Sequence, residues 1–152
     1  MVRGRGVSEC GKNVTGQTGQ NITLPCKYDI KINGPTEMCW GRGPLPSSGC
    51  SNKLLATDGH KVIKESRASS RYELQGRLDE GDVSLTIMNV TEEDAGLYGC
   101  RVEISGWFND EKHHVHLTVN RSEKMIKESP APHCWISIHV ITSIFITKTK
   151  IH

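Results

Sequence analysis

The sequence predicts an all-β fold, a sandwich of two packed sheets, on three observations. Three segments alternate apolar and polar side chains, and they are residues 22–26, 83–87 and 115–119. Such alternation buries one face of a strand and leaves the other in water. Cys26 and Cys100 stand far apart with Trp40 between them, and Tyr98 comes shortly before Cys100. An inter-sheet disulfide, a tryptophan packed on it and a tyrosine corner are the immunoglobulin signature. The Cys26–Cys100 spacing leaves room for the extra C′ and C″ strands, which makes the prediction an immunoglobulin V-type sandwich.

The predicted domain covers residues 7–120, and residues 121–152 form a non-globular tail without a clear fold. Trp40 and Tyr98 therefore have structural roles. Arg71 and Asp94 are predicted to close a salt bridge at the bottom of the sandwich. The tail contains an apolar run over residues 135–146, which is shorter than the roughly 20 residues of a membrane-spanning helix.

Composition predicts an extracellular or cell-surface glycoprotein. The net charge of +2 gives no strong basic field, which argues against nucleic acid as a partner. The chain has six cysteines, and their abundance favours disulfides and an oxidising compartment. No apolar signal segment follows residues 1–6, so we expect the natural start to be incomplete. The N-x-[ST] motifs predict glycosylation, at Asn13, Asn21, Asn89 and Asn120.

Cys39 precedes Trp40 directly, so its side chain is expected on the opposite face of the same strand. Cys50 follows a Gly- and Pro-rich segment, residues 41–49, which we call the C–C′ loop. A Cys39–Cys50 disulfide would fold this loop over the outer face of the sheet. The alternative is two free surface thiols, which an oxidising compartment disfavours. Cys10 and Cys134 are either free, paired with each other or paired with another chain.

A second loop carries the candidate binding chemistry. Residues 105–110, which we call the F–G loop, connect the last two predicted strands. Trp107 and Phe108 are costly to expose without a ligand, and tryptophan favours a membrane–water interface. Asn109 and Asp110 supply oxygens of the kind that Ca²⁺ takes as ligands. The alternative is that Asn109 and Asp110 are turn residues and that the aromatic pair packs on the sheet or on a protein partner.

The chain also resembles the T-cell immunoglobulin and mucin-domain family of cell-surface receptors, over about residues 18–119 and nearest to its kidney-injury-molecule branch. The resemblance is carried by segments 39–43, 46–50, 70–72, 81–87 and 100–110.

It implies a calcium-dependent pocket between the C–C′ and F–G loops that binds phosphatidylserine on dying cells or viral envelopes. Asn109 and Asp110 match the metal ligands, Trp107 and Phe108 match the membrane-inserting tip, and Gly106 belongs to the same loop. Ser48 matches a head-group contact.

The sequence departs from the family pattern at several places. Leu45 and Gly99 replace two cysteines that bond to each other in the family, so the docking of the C–C′ loop depends on Cys39–Cys50 alone. Ser105 replaces a proline, and no mucin stalk follows residue 120.

Two other functional classes remain as alternatives to lipid recognition. A protein-binding adhesion or co-receptor domain would use the same loops, since aromatic tips are frequent protein-binding hot spots. An enzyme is not expected. His113, His114 and His116 are clustered, with His114 and His116 expected on one face of a strand, but no third or fourth ligand is spaced to complete a zinc site with that pair. The expected partners are phosphatidylserine-bearing membranes, with cell-surface proteins or enveloped virus particles as further candidates.

Overall fold

The computed structural model describes residues 11–106 and 109–122, and they form two β-sheets packed face to face. The strands are β1 (Lys12–Gln17), β2 (Ile22–Leu24), β3 (Met38–Arg42), β4 (Lys53–Thr57), β5 (Tyr72–Glu73), β6 (Leu85–Ile87), β7 (Gly96–Val102) and β8 (Glu111–Asn120). One short helix, α1, spans Ile30–Asn33, and 3-10 turns cover Lys64–Ser66, Leu78–Glu80 and Glu92–Asp94. Within the described residues, no helix is long and apolar enough to cross a membrane.

The larger sheet has five strands in the order β1-β8-β7-β3-β4, and the smaller has three in the order β2-β6-β5. All neighbours are antiparallel except β1 and β8, which run parallel. β4 supplies the C′ strand expected of a variable-type domain. At the C″ position the chain makes only an isolated bridge between Thr57 and Val62. The all-β, two-sheet fold predicted from the sequence is confirmed.

Trp40 lies at the centre of the core with no exposed surface, and its indole Nε1 donates to the backbone oxygen of Val83 at 2.7 Å. The Cys26–Cys100 disulfide links the two sheets. Tyr98 is buried, and its hydroxyl donates to the backbone oxygen of Asp94. The burial raises the pKa of the phenol. These are the contacts of a V-type core.

Arg71 and Asp94 form an ion pair at the base of the sandwich, with Nη1 and Nη2 of the arginine both donating to the carboxylate. Arg71 Nε also donates to the backbone oxygen of Met88 at 3.0 Å. The hydrogen bond to Asp94 raises the pKa of Arg71 above its usual value. Asp94 also accepts from the backbone N–H of Thr91 at 2.8 Å, so the pair fixes the turn that enters β7.

In two of the three alternating segments, a polar side chain is exposed to solvent as predicted. Thr23 in β2 and His116 in β8 are exposed. Segment 83–87 differs, because Ser84 and Thr86 are buried as well as its apolar residues. Their hydroxyls are satisfied internally, since Thr86 pairs with the Thr23 hydroxyl at 2.8 Å and Ser84 accepts from the N–H of Cys26 at 3.1 Å.

The predicted boundaries at residues 7 and 120 stay a prediction. β1 begins at Lys12 and β8 ends at Asn120. Residues 1–10 and the tail from residue 123 onward, with Cys10 and Cys134, lie outside the described residues.

Candidate functional site

The C–C′ loop folds back over the outer face of the larger sheet, held there by a Cys39–Cys50 disulfide. β3 continues to Arg42, so the loop proper begins at Gly43. Gly41 allows the close return of the chain, because a Cβ at that position would lie 2.2 Å from the backbone oxygen of Ser51. Cys39 is thereby covered and only 5% exposed.

Leu45 and Gly99, the two positions where the sequence departs from the cysteine pattern that the resemblance implies, lie against each other. A Cβ on Gly99 would fall 2.7 Å from Leu45 Cγ, so the leucine side chain occupies the space that a larger residue at position 99 would need. Leu45 N–H also donates to Nε2 of His114 at 3.2 Å. Burial, with smaller contributions from His113 and Lys112, lowers the pKa of His114 and favours the neutral ring that can accept this bond. The loop is therefore docked on the sheet through packing and a hydrogen bond at this place.

Arg101 is the residue that joins the two loops. It follows Cys100 in β7, so its side chain points to the outer face, opposite Cys39 in the strand register. The C–C′ loop covers it and leaves it 1% exposed. Its Nε donates to the backbone oxygen of Gly49 at 2.7 Å and its Nη2 donates to that of Pro46. Its Nη1 donates to Asp110 Oδ2 in the F–G loop at 3.0 Å.

Sequence reasoning missed Arg101. The available signal was its position one residue after a core cysteine, which puts a long cation on the same outer face as Cys39. Two of its three partners are backbone carbonyls far away in the chain, and no residue-type pattern marks carbonyl oxygens.

The F–G loop, residues 105–110, belongs to the connection between β7 and β8. Gly106 has φ +112°, and a Cβ there would lie 2.1 Å from Asn109 Nδ2, so the position requires glycine. Asn109 Nδ2 donates to the backbone oxygen of Ser105 at 3.0 Å, which closes the loop and leaves the amide oxygen facing away from that bond. Trp107 and Phe108, the predicted membrane-inserting tip, lie outside the described residues.

The cation-binding capacity of this loop is limited by its charge. Asp110 shares its carboxylate with Arg101, so the pair together carries no net charge. Asp110 Oδ1 has no hydrogen-bond donor among the residues that the structure describes, and Asn109 is exposed. Two side-chain oxygens suit a hard cation but complete less than half of a calcium shell of six to eight oxygens. Carbonyls, water and a ligand would have to supply the rest.

Ser48 lies exposed in the C–C′ loop between Pro46 and Gly49, whose carbonyl oxygens bind Arg101. The same guanidinium therefore connects the backbone around Ser48 to Asp110. The histidine cluster lies on β8. In residues 11–106 and 109–122, no three His, Cys, Asp or Glu side chains are grouped to hold a metal. His113 Nε2 lies 3.5 Å from Glu111 Oε1.

The glycosylation motifs lie on the surface of the domain. Asn13, Asn21 and Asn89 are exposed and Asn120 is half-buried at the end of β8. Asn89 adopts φ +52°, and its N–H donates to the side-chain oxygen of Asn21 at 2.9 Å. This bond leaves the amide nitrogen of Asn21, the atom that a glycan would modify, unused by the Asn89 contact.

Comparison with known proteins places this arrangement in a family. Residues 11–120 match the immunoglobulin V-set domain. The hepatitis A virus cellular receptor 1 homolog of mouse is 57% identical over 99 residues, which are 65% of this chain and 32% of the relative. The human T-cell immunoglobulin and mucin domain-containing protein 4 is 48% identical over 109 residues, 72% of this chain and 28% of the relative. The chain thus spans about a third of the length of these curated relatives.

Two solved structures share the fold at high identity. "Tim-1" superposes with a TM-score of 0.69 at 50% identity, covering 76% of this chain and 96% of that structure. "Tim-4 in complex with phosphatidylserine" superposes with a TM-score of 0.68 at 45% identity, covering 72% and 99%. Hepatitis A virus cellular receptor 1 is the kidney-injury molecule, so the predicted branch is confirmed. The chain belongs to the T-cell immunoglobulin and mucin-domain family, within the immunoglobulin V-set.

Proposed function

We propose that this chain is an extracellular binding domain that recognises phosphatidylserine-bearing membranes with the help of calcium, through the F–G and C–C′ loops. The observation that carries the proposal is the Arg101 link, which holds both loops together beside Asn109 and Asp110. Support also comes from the relative solved in complex with phosphatidylserine, which is 45% identical. The mouse relative is named as the homolog of a cellular receptor, which favours a binding rather than a catalytic role.

The charge of the site favours joint binding of cation and lipid. Because Arg101 neutralises Asp110, the loop alone attracts a cation weakly. Calcium, when bound, would supply a positive centre that a lipid phosphate or carboxylate can coordinate. The anionic head group adds both charge and oxygens, so Asn109 and Asp110 bind best when the lipid is present. Ser48, exposed on the adjoining loop, offers a hydroxyl to the same head group.

The aromatic pair extends this site toward the membrane. Trp107 and Phe108 stand between Gly106 and Asn109 in the sequence, so they enter the bilayer interface where the cation ligands approach the head groups. Glycans at Asn13, Asn21, Asn89 and Asn120 are part of the same extracellular proposal. Asn21 precedes β2 and Asn89 follows β6, so the two lie together at one end of this strand pair.

The test is sedimentation of the full chain with vesicles of phosphatidylserine and phosphatidylcholine, with calcium and with chelator. Asp110→Asn keeps an oxygen for Arg101 and removes the charge, so it preserves the fold where alanine would leave a buried guanidinium unpaired. We expect it to weaken calcium-dependent binding by about tenfold or more.

Asp58→Asn is the matched control, because it removes the same charge from an exposed aspartate paired with Lys61. If Asp110→Asn binds as tightly as wild type, the metal role is wrong. If the folded wild type does not bind phosphatidylserine vesicles, a protein ligand replaces the lipid as the partner.

A further inference from the structure

The helix α1, which is distant in sequence from the F–G loop, carries a large apolar side chain, Ile32, that is exposed to solvent. Ile32 is 79% exposed, and in the described part of the chain only Ile63, at 38%, is another large exposed apolar residue. A bulky aliphatic side chain held in water at this level is unfavourable unless a partner covers it.

The helix that carries Ile32 is fixed to the domain and does not fray freely. Asp29 caps it by accepting from the backbone N–H groups of Lys31 and Ile32, each at 3.1 Å. Gly34 N–H donates to the backbone oxygen of Ile30 at 2.7 Å. Ile30 packs against the core on the inner side of the helix. This anchoring presents Ile32 outward in one orientation.

The segment around α1 is tied to the F–G loop. Thr36 Oγ1 donates to the backbone oxygen of Glu103, and Glu103 N–H donates to that of Glu37 at 2.9 Å. An open depression runs between the two segments, lined by Asn33, Thr36, Glu103, Gly106 and Asp110. Ile32 therefore belongs to the same end of the sandwich as the proposed cation and lipid site.

The charge beside Ile32 suits an anionic surface. Lys31 is exposed, and its ammonium has no carboxylate within salt-bridge distance among residues 11–106 and 109–122. The carboxylate of the nearby Asp29 caps the helix by accepting hydrogen bonds from its backbone N–H groups. A single aliphatic residue beside a lysine is too small to form the apolar centre of a protein interface. A membrane surface suits such a pair, because the aliphatic side chain can lie below the head groups while the cation lies among them.

We propose that α1 is a second membrane contact, in which Ile32 enters the head-group boundary while Lys31 pairs with lipid phosphate. This inference rests on the proposed phosphatidylserine binding and adds a contact on a different loop. Two separated insertion points orient the domain on the membrane, whereas one loop would leave it free to tilt.

The test compares Ile32→Ser with Ile32→Leu and Ile63→Ser in the full chain. Binding is measured with mixed phosphatidylserine–phosphatidylcholine vesicles and with pure phosphatidylcholine vesicles, both in calcium. We expect Ile32→Ser to bind the mixed vesicles on the order of tenfold more weakly than wild type. Ile32→Leu keeps the apolar volume and is expected to bind normally, and Ile63→Ser is expected to match wild type.

Three results would overturn the inference while leaving the proposed function standing: wild-type binding by Ile32→Ser, a loss of binding by Ile32→Leu as large as that of the serine variant, or an equal loss in Ile63→Ser. Absence of any wild-type binding to the mixed vesicles would instead overturn the proposed function, and the α1 contact with it.

Discussion

Replacing Arg101 by methionine tests the central contact of the site. Methionine retains the length and much of the apolar stem of arginine but removes all three donors. The backbone oxygens of Pro46 and Gly49 lose their partner, and so does Asp110. The C–C′ loop then keeps the Cys39–Cys50 tether, the contacts made by Leu45 and the hydrogen bond from Gly43 N–H to the backbone oxygen of Leu97.

The expected magnitude follows from burial. A hydrogen bond from a charged donor contributes about 1.5–3 kcal/mol, and breaking a buried ionic contact costs about 3–5 kcal/mol. Arg101 is 1% exposed but the Asp110 side chain is 31% exposed, so water recovers part of the loss at the aspartate. We expect the free energy of unfolding to fall by about 3 kcal/mol, which for a domain of this size lowers Tm by about 10 °C.

Thermal unfolding by circular dichroism measures the change, with amide hydrogen exchange reporting which segment opens. Exchange should accelerate first at Leu45, whose N–H is bonded to His114. Arg121→Met is the matched control, because Arg121 pairs with Glu92 at 2.8 Å on the surface and its loss should cost less than about 0.5 kcal/mol. Equal Tm values for Arg101→Met and Arg121→Met would refute the reasoning.

Two further changes probe the docking of the C–C′ loop. The pKa of His114 lies below its usual 6.5 because the half-buried ring is partly removed from water. As the pH falls below about 6.5, the unfolded chain takes up a proton that the folded chain resists, so the free energy of unfolding decreases. The free energy of unfolding, measured with urea at several pH values in this range, should change less steeply with pH in His114→Gln than in His116→Gln. Identical pH dependences in the two variants would contradict the assignment. Gly99→Ala should cost about 1 kcal/mol because Leu45 must move. Adding Leu45→Ala should relieve that clash, and strictly additive losses in a double-mutant cycle would argue against the contact.

The fold was predictable because its signals are local and geometric. Cys26, Trp40 and Cys100 are core residues whose spacing follows from strand and loop lengths, and Tyr98 and Asp94 lie within one corner of the chain. The burial of Ser84 was not predictable from alternation, since a hydroxyl becomes a core group only when another strand supplies its hydrogen bonds. Here that strand is β2, which brings Cys26 within reach.

The sequence by itself determined the V-type sandwich, the family and the loop that carries Asn109 and Asp110. Only the tertiary structure decided that Arg101 is buried, that it neutralises Asp110 and that Leu45 docks on Gly99. The physical reason is that the contacts of Arg101 with Pro46 and Gly49, and of Leu45 with Gly99, join residues distant in the chain through backbone oxygens and through the absence of a side chain. Such partners have no residue-type signature, and they become visible only when the C–C′ loop lies on the sheet.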